Sequence, residues 1–320
     1  MLNIIFFGSS DYCLPVLESL HKNFKLTAII TRPLSPPQKF GLFHKIPVFT
    51  PESAEEISAL VSDLKKLSPD LSVVADYGVM IPDDVISLPK LETLNIHFSR
   101  LPKYRGPSPV QYTILNGEKS AWISVIKLVK KLDAGDIICQ KEVSLTGDET
   151  TGSLYKKLFN IASVELPDVL SDFALGKIKP VKQDEKAVTF TRKITKEDGF
   201  IPWDILTSAM SESKQIKPDI DPWPLMNLIP ELSAKGGSAF GGDIERALRA
   251  FTPWPGLWTK ITLGKIPGIK GPKFRESTKK RLKILKAHLE NEKLVLDEVQ
   301  LEGKNPVSWK QFLEGYSVDY

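Results

Sequence analysis

At 320 residues the chain is longer than one ordinary domain needs and suits two. A hydrophobic content of 42% with 26% charged residues is that of a soluble globular protein with a real core, and no apolar run reaches membrane-spanning length. The net charge of +4 is mild and decides nothing alone. Cys13 and Cys139 sit inside apolar segments and form no metal-spaced pair, which fits a reducing cytoplasm and argues against a disulfide scaffold. The stretch Met1–Phe7 lacks a basic flank or a small-residue cleavage site, so no signal peptide is expected.

In chain order, Leu2 to Phe7 reads as a buried strand ending at Gly8-Ser9-Ser10-Asp11, followed by a helix with apolar Leu14, Leu17 and Leu20. Leu26 to Ile30 is a second strand, and Thr50-Pro51 predicts a helix start, with the helix running to about Leu67. Leu71 to Ala75 and Thr93 to Phe98 are further strands; Ile123 to Leu128 and Asp136 to Val143 form a following pair. A long helical pattern spans Thr150 to Leu175. Such alternation predicts an α/β fold with a mostly parallel sheet covered by helices on both faces. The polar stretch 190–205 reads as a linker after a first domain over 1–189. Residues 206–242, with repeated Pro and Gly pairs, read as an irregular insertion. A short helix is expected from Asp243 to Phe251. Short strands at Trp258 to Leu263, Leu282 to His288 and Lys293 to Gln300 then suggest a small β-barrel within a second domain over 243–320.

The most informative segment is Leu94-Asn95-Ile96-His97-Phe98. Side chains alternate faces along a strand, so Asn95 and His97 project together while their apolar neighbours pack opposite. The pair ends a strand just before a loop with Pro102 and Gly106, where ligands bind in open α/β sheets. A single histidine would more often be a satisfied core residue, and the paired Asn95 is what shifts that balance. Leu132-Asp133-Ala134-Gly135-Asp136, taken alone, is best read as a turn that uses Asp and Gly for backbone reasons. Gly8-Ser9-Ser10 lacks the spacing of a dinucleotide fingerprint, and there is no Walker loop, zinc spacing or nucleophile elbow.

Taken together, Asn95-x-His97, the run Ser99-Arg100-Leu101-Pro102-Lys103-Tyr104-Arg105-Gly106-x-x-Pro109 and Leu132 to Asp136 resemble the signature of folate-dependent formyltransferases. Phe6-Phe7-Gly8-Ser9, Tyr77-Gly78 to Pro82, Lys193 to Asp198 before Trp203, Arg249 to Gly256 and Leu282 to Ala287 are similar to the tRNA-acting branch of that family, in the same order along nearly the whole chain. The resemblance implies a Rossmann-like domain whose Asn95, His97 and Asp133 are catalytic. It implies that Ser99, Arg100, Leu101 and Pro102 line the tetrahydrofolate site, and that an OB-like C-terminal barrel helps to hold tRNA. The implied co-substrate is 10-formyltetrahydrofolate and the implied acceptor is initiator methionyl-tRNA. No metal is required, and a cytoplasmic monomer is expected.

In those roles Asn95 and His97 would stabilise a tetrahedral oxyanion, while Asp133 would orient His97 and take the amine proton. Phe98 and Arg100 depart from the family pattern, which usually has Pro and Leu at those places. The loop from Thr31 to Gly41 is shorter and less basic than in tRNA-specific members. That shortness favours an alternative acceptor, an amino sugar on a nucleotide. Favouring tRNA are the segment Phe251 to Gly256 and eight basic residues between Lys270 and Lys286, namely Lys270, Lys273, Arg275, Lys279, Lys280, Arg281, Lys283 and Lys286. A catalytically dead OB-type nucleic-acid binder is the reading from another class, and the intact Asn95, His97 and Asp133 count against it.

Overall fold

The computed structural model describes residues 1–211, 224–228, 240–264 and 279–318. The chain forms two compact units, one of residues 1–110, 119–145 and 153–192, the other of residues 111–118, 146–152 and 193–320.

The first unit is built on a seven-stranded sheet: β1 (Asn3–Phe7), β2 (Lys25–Ile30), β3 (Val48–Phe49), β4 (Leu71–Val74), β5 (Glu92–His97), β6 (Ser120–Lys127) and β7 (Ile137–Ser144), in the order β3-β2-β1-β4-β5-β6-β7. The pairs from β3 to β5 are parallel, while β5 with β6 and β6 with β7 run antiparallel. The mostly parallel sheet expected from the sequence is therefore present. In β1 the four residues Ile4, Ile5, Phe6 and Phe7 are all buried, the pattern of a central strand covered on both sides. Ile5 and Phe7 share one core with Ala28, Ile30, Ile57, Leu64, Val74 and Tyr77. By alternation Ile4 and Phe6 face the opposite layer.

Helix α1 (Leu14–Asn23) buries Val16, Leu17 and Leu20, and it is tied to the long helix Thr151–Ala174 by Ser19 Oγ donating to the Ser163 carbonyl at 2.6 Å. That long helix buries Leu154, Leu158, Phe159, Leu166 and Leu170 at helical spacing. It matches the Thr150-to-Leu175 pattern within a residue at each end.

The helix expected from Thr50-Pro51 is different in detail. Ser53, not Thr50, caps it by accepting from Glu56 N, and the segment divides at Leu60 into Ala54–Ala59 and Val61–Lys66. A Ser three residues before a Glu is the stronger cap, because the hydroxyl reaches the free N–H of the first turn.

The second unit carries an antiparallel sheet of β8 (Leu257–Gly264), β9 (Lys279–Glu290), β10 (Lys293–Leu301), β11 (Val307–Ser308) and β12 (Ser317–Val318), in the order β11-β10-β9-β8-β12. Leu257, Thr259 and Ile261 of β8, Leu282 and Ile284 of β9 and Leu294 and Leu296 of β10 are buried. The helix Phe240–Ala250 packs Ile244, Ala247 and Leu248 against this sheet. This is the small β domain expected from the short strands.

Residues 206–210 finish the helix Trp203–Met210, and Phe240 to Gly242 begin the next helix three residues earlier than the expected Asp243 start. Ile205, Leu206 and Ala209 of the first helix and Phe240 and Gly241 of the second are buried, so packing carries helix into the expected insertion at both ends. Residues 212–223 and 229–239 of the expected irregular insertion lie outside the described residues, as do Lys270, Lys273 and Arg275.

If β1 is the double-faced centre of the first unit, Phe7→Ala should lower stability by about 3–5 kcal/mol. Lys25→Ala, at the exposed start of β2, should change it by less than about 0.5 kcal/mol. Urea titration of the two variants measures both.

Candidate active site

β5 lies where the sheet changes from parallel to antiparallel neighbours: Asn95 is opposite Val74 of β4 on one side and Ile126 of β6 on the other. Asn95 and His97 point the same way from this strand, as alternation predicts, and both line a cavity of about 810 Å³. Asp133, from the connection between β6 and β7, lines it too. The remaining wall comes from Asp76 to Asp83, from Gly106 and Pro107, and from Leu128 to Lys130.

The three polar side chains converge. Asn95 Nδ2 donates to Asp133 Oδ1 at 3.4 Å, and His97 Nδ1 lies 3.6 Å from Asp133 Oδ2. The side chains of His97 and Asp133 are only 7% and 10% exposed. Asp133 Oδ2 also accepts from the backbone N–H of Gly106 at 2.8 Å. His97 Nε2 is 2.9 Å from the Tyr104 carbonyl. A carbonyl only accepts, so Nε2 carries a proton, and in a neutral ring Nδ1 is then the bare nitrogen turned to Asp133. The imidazole is therefore aimed by Tyr104 more than by Asp133, whose separation of 3.6 Å exceeds a direct hydrogen bond. A proton placed on Nδ1 would meet the carboxylate at once.

The Asp133 turn shows why the bland reading of this segment and the functional one coexist. Asp133 has φ +46°, a left-handed conformation that Asp tolerates better than most residues. A Cβ on Gly135 would stand 1.8 Å from the Lys127 carbonyl oxygen, so only glycine fits that close approach. The backbone demand of the turn is what sets the carboxylate beside Asn95.

The run Ser99 to Pro102 follows the end of β5. Ser99 is buried, its hydroxyl donating to the Lys103 carbonyl at 2.6 Å, and its own carbonyl accepts from Ser124 Oγ at 2.6 Å. Arg100 lies over the Trp122 ring at 4.7 Å, and the buried Leu101 offers its carbonyl to Gln140 Nε2 at 3.1 Å. None of the four lines the cavity. The run shapes the loop that carries Tyr104 and Gly106 to the site. Tyr77 to Pro82, which the sequence offered only as part of a resemblance, form part of the wall. Met80 is 80% exposed, and Val129 and Leu132 are also exposed, so three apolar side chains at the cavity face water.

On the second unit, Lys279, Lys283 and Lys286 of β9 are exposed. Lys286 is paired with Glu298 at 2.6 Å, which pushes its pKa up. Register places Lys260 opposite Arg281 and Trp258 opposite Lys283. The Arg281 guanidinium sits 4.4 Å over the Trp258 ring. Trp258 and Lys260 were not legible in the basic run, because cross-strand pairing and not chain order brings them to it.

The formyl transferase family matches over residues 22–170, and the formyl transferase C-terminal domain over residues 241–317. A methionyl-tRNA formyltransferase of Listeria monocytogenes serotype 4a is 36% identical over 236 residues, covering 70% of this chain and 74% of that protein. A solved methionyl-tRNA formyltransferase from Clostridium thermocellum superposes with a TM-score of 0.54 at 18% identity, over 94% of this chain and 99% of its own. WlaRD, a sugar 3N-formyl transferase solved with dTDP and 5-N-formyl-THF, superposes with a TM-score of 0.56 at 18% identity, over 91% and 87% of the two chains. At such identities the two superpositions speak for the fold.

Gly135→Ala should force Lys127 and the Asp133 turn apart and cost about 1–3 kcal/mol, as overpacking does. Ala134→Gly, one residue away, should cost less than about 1 kcal/mol. Thermal unfolding of the pair distinguishes close packing from mere turn preference.

Proposed function

Since the chain belongs to the methionyl-tRNA formyltransferase family, we propose that it moves the formyl group of 10-formyltetrahydrofolate to the amino group of initiator methionyl-tRNA. The observation that carries this reading is the meeting of Asn95, His97 and Asp133 on one side of a cavity large enough for a folate. The exposed apolar side chains of Met80, Val129 and Leu132 at that cavity suit the flat pterin and aminobenzoyl rings, whose burial would remove those side chains from water. On this reading the folate contacts come from residues 77–82 and 128–132. Ser99, Arg100, Leu101 and Pro102 act by setting the loop behind them.

The acceptor amine, neutral when it reacts, adds to the formyl carbon and makes a tetrahedral oxyanion. The second N–H of the Asn95 amide, not used on Asp133, is the donor for that oxygen. The amine proton passes to the Asp133–His97 pair, where a proton on Nδ1 lies against the carboxylate. Collapse breaks the bond from the formyl carbon to N10, and the same pair returns the proton to the departing tetrahydrofolate. The products are formylmethionyl-tRNA and tetrahydrofolate. The Tyr104 carbonyl keeps the proton on Nε2 throughout, so Nδ1 is the ring nitrogen that takes and returns the transferred proton. The enzyme acts in the cytoplasm as a monomer at translation initiation. The β-domain face with Trp258, Lys260, Lys279, Arg281 and Lys283 holds tRNA through phosphates and base stacking.

Purified protein incubated with 10-formyltetrahydrofolate and methionyl-tRNA should yield formylmethionyl-tRNA, while an amino-sugar nucleotide should remain unmodified. Formylation of the sugar alone would transfer the assignment to the second acceptor, which the short loop from Thr31 to Gly41 favours. Asn95→Ala and His97→Ala should each lower turnover by roughly 100-fold or more. Asp133→Ala should lower it by roughly 100- to 10,000-fold. Normal turnover in His97→Ala would sink the mechanism.

Replacing Lys279, Lys280 and Arg281 together by Ala should raise KM for methionyl-tRNA and flatten its dependence on salt, because fewer counterions are released. KM for 10-formyltetrahydrofolate should stay the same. An unchanged salt slope would leave these residues as ordinary surface.

A further inference from the structure

The Asp133 turn is held from behind by a segment fifty residues away in sequence. The strap 181–191 pairs with two parts of the first unit. Val181 exchanges backbone hydrogen bonds with Ile137 at 2.8 and 2.9 Å. Arg105 N donates to the Thr189 carbonyl at 2.9 Å, and Thr191 N donates to the Arg105 carbonyl at 2.7 Å. Between these anchors Gln183 is 2.8 Å from both the Asp133 and the Gly135 carbonyl through Nε2. Its Oε1 accepts from Arg105 Nε at 3.0 Å and from Arg105 Nη2 at 2.8 Å.

The orientation of this amide is forced. A guanidinium can only donate and two carbonyls can only accept, so the oxygen must face Arg105 and the nitrogen must face the turn. Arg105 is fully buried, and it is itself anchored on Glu185 Oε1 at 2.8 Å. Arg105 and Lys131 together hold the Glu185 carboxyl down to a pKa of about 2, so the anchor is charged at any working pH. Gln183 thus spends all four of its hydrogen-bonding positions between a buried cation and the backbone of one strained turn.

We propose that Gln183 is a positioning residue for formyl transfer, keeping Asp133 in its left-handed conformation, with Arg105 as the fixed point behind it. The inference rests on the catalytic role given above to Asp133. The carboxylate is fixed in front by Gly106 N, and Gln183 fixes the main chain that carries it. Without that clamp the turn is free to relax toward an ordinary φ, and the carboxylate swings away from Asn95 and His97.

The test is Gln183→Glu, which keeps the size and the pairing to Arg105 but sets carboxylate oxygens against the two carbonyls. Gln183→Met, of similar length and with no donor, is the companion should the first fold poorly. Each is measured as turnover per folded molecule, beside wild type and Asp133→Asn. The expected result is a kcat lower by roughly 10- to 100-fold, the scale of an ångström-size misplacement, with KM for 10-formyltetrahydrofolate within about twofold of wild type. A lowered melting temperature with kcat unchanged in both variants means that Gln183 only stabilises the fold, and it overturns the proposal. If Asp133→Asn itself turns over normally, the catalytic role of Asp133 fails first and the proposal falls with it. Loss of activity in Asp133→Asn together with normal kcat in Gln183→Glu and Gln183→Met rejects the positioning role alone.

Discussion

Parallel strands cannot be joined by tight turns, and that constraint organises the first unit. Each connection among β1, β2, β4 and β5 must cross over through a helix, and β1 at the centre carries a continuous buried apolar run from Ile4 to Phe7. The buried polar side chains along these strands are small hydroxyls, Thr27, Ser72 and Thr93. Asn95 and His97 stand at the end of β5, the last strand of the parallel set, where the neighbour on one side is already antiparallel. The antiparallel return through β6 then allows a short connection to bring Asp133 back beside Asn95. The meeting of Asn95, His97 and Asp133 is a product of this change in strand direction.

Much of this was legible in the chain because its signals are local. Full burial of β1, the spacing of apolar residues in the helix Thr151–Ala174 and the alternation that puts Asn95 and His97 together each need only a few neighbouring residues. The helix start at Thr50-Pro51 was misplaced because two good caps stand three residues apart, and the one with an acidic residue at the right offset won. The run Ser99 to Pro102 was assigned through the resemblance alone, and its surroundings could not be read from the chain: the Ser99 hydroxyl meets the Lys103 carbonyl, Arg100 lies over Trp122, and the Leu101 carbonyl accepts from Gln140. Gln183 gave no signal at all. An amide in a polar stretch has no pattern of its own, and only the tertiary register of the strap shows that it meets Arg105 and the Asp133 turn.

The same limit applied to the β domain. A run of lysines and arginines along one strand says little, since charged edges also keep sheets from pairing. Cross-strand register gives the face a composition that chain order hides, with an indole under a guanidinium and a lysine beside each. Aromatic and cationic groups in that arrangement fit the stacking and phosphate chemistry of a nucleic-acid strand.

The strap has a second consequence, colloidal in nature. β7 is the last strand of its sheet, and such a strand presents unpaired amides and carbonyls as a template for another chain. Val181 caps this border at Ile137, and Lys141 and Glu142 put charge farther along it. One peptide segment therefore braces the carboxylate turn and blunts an adhesive margin. Peeling it away would bare that margin and unclamp the Asp133 turn together, tying the solubility of the molecule to the order of one loop.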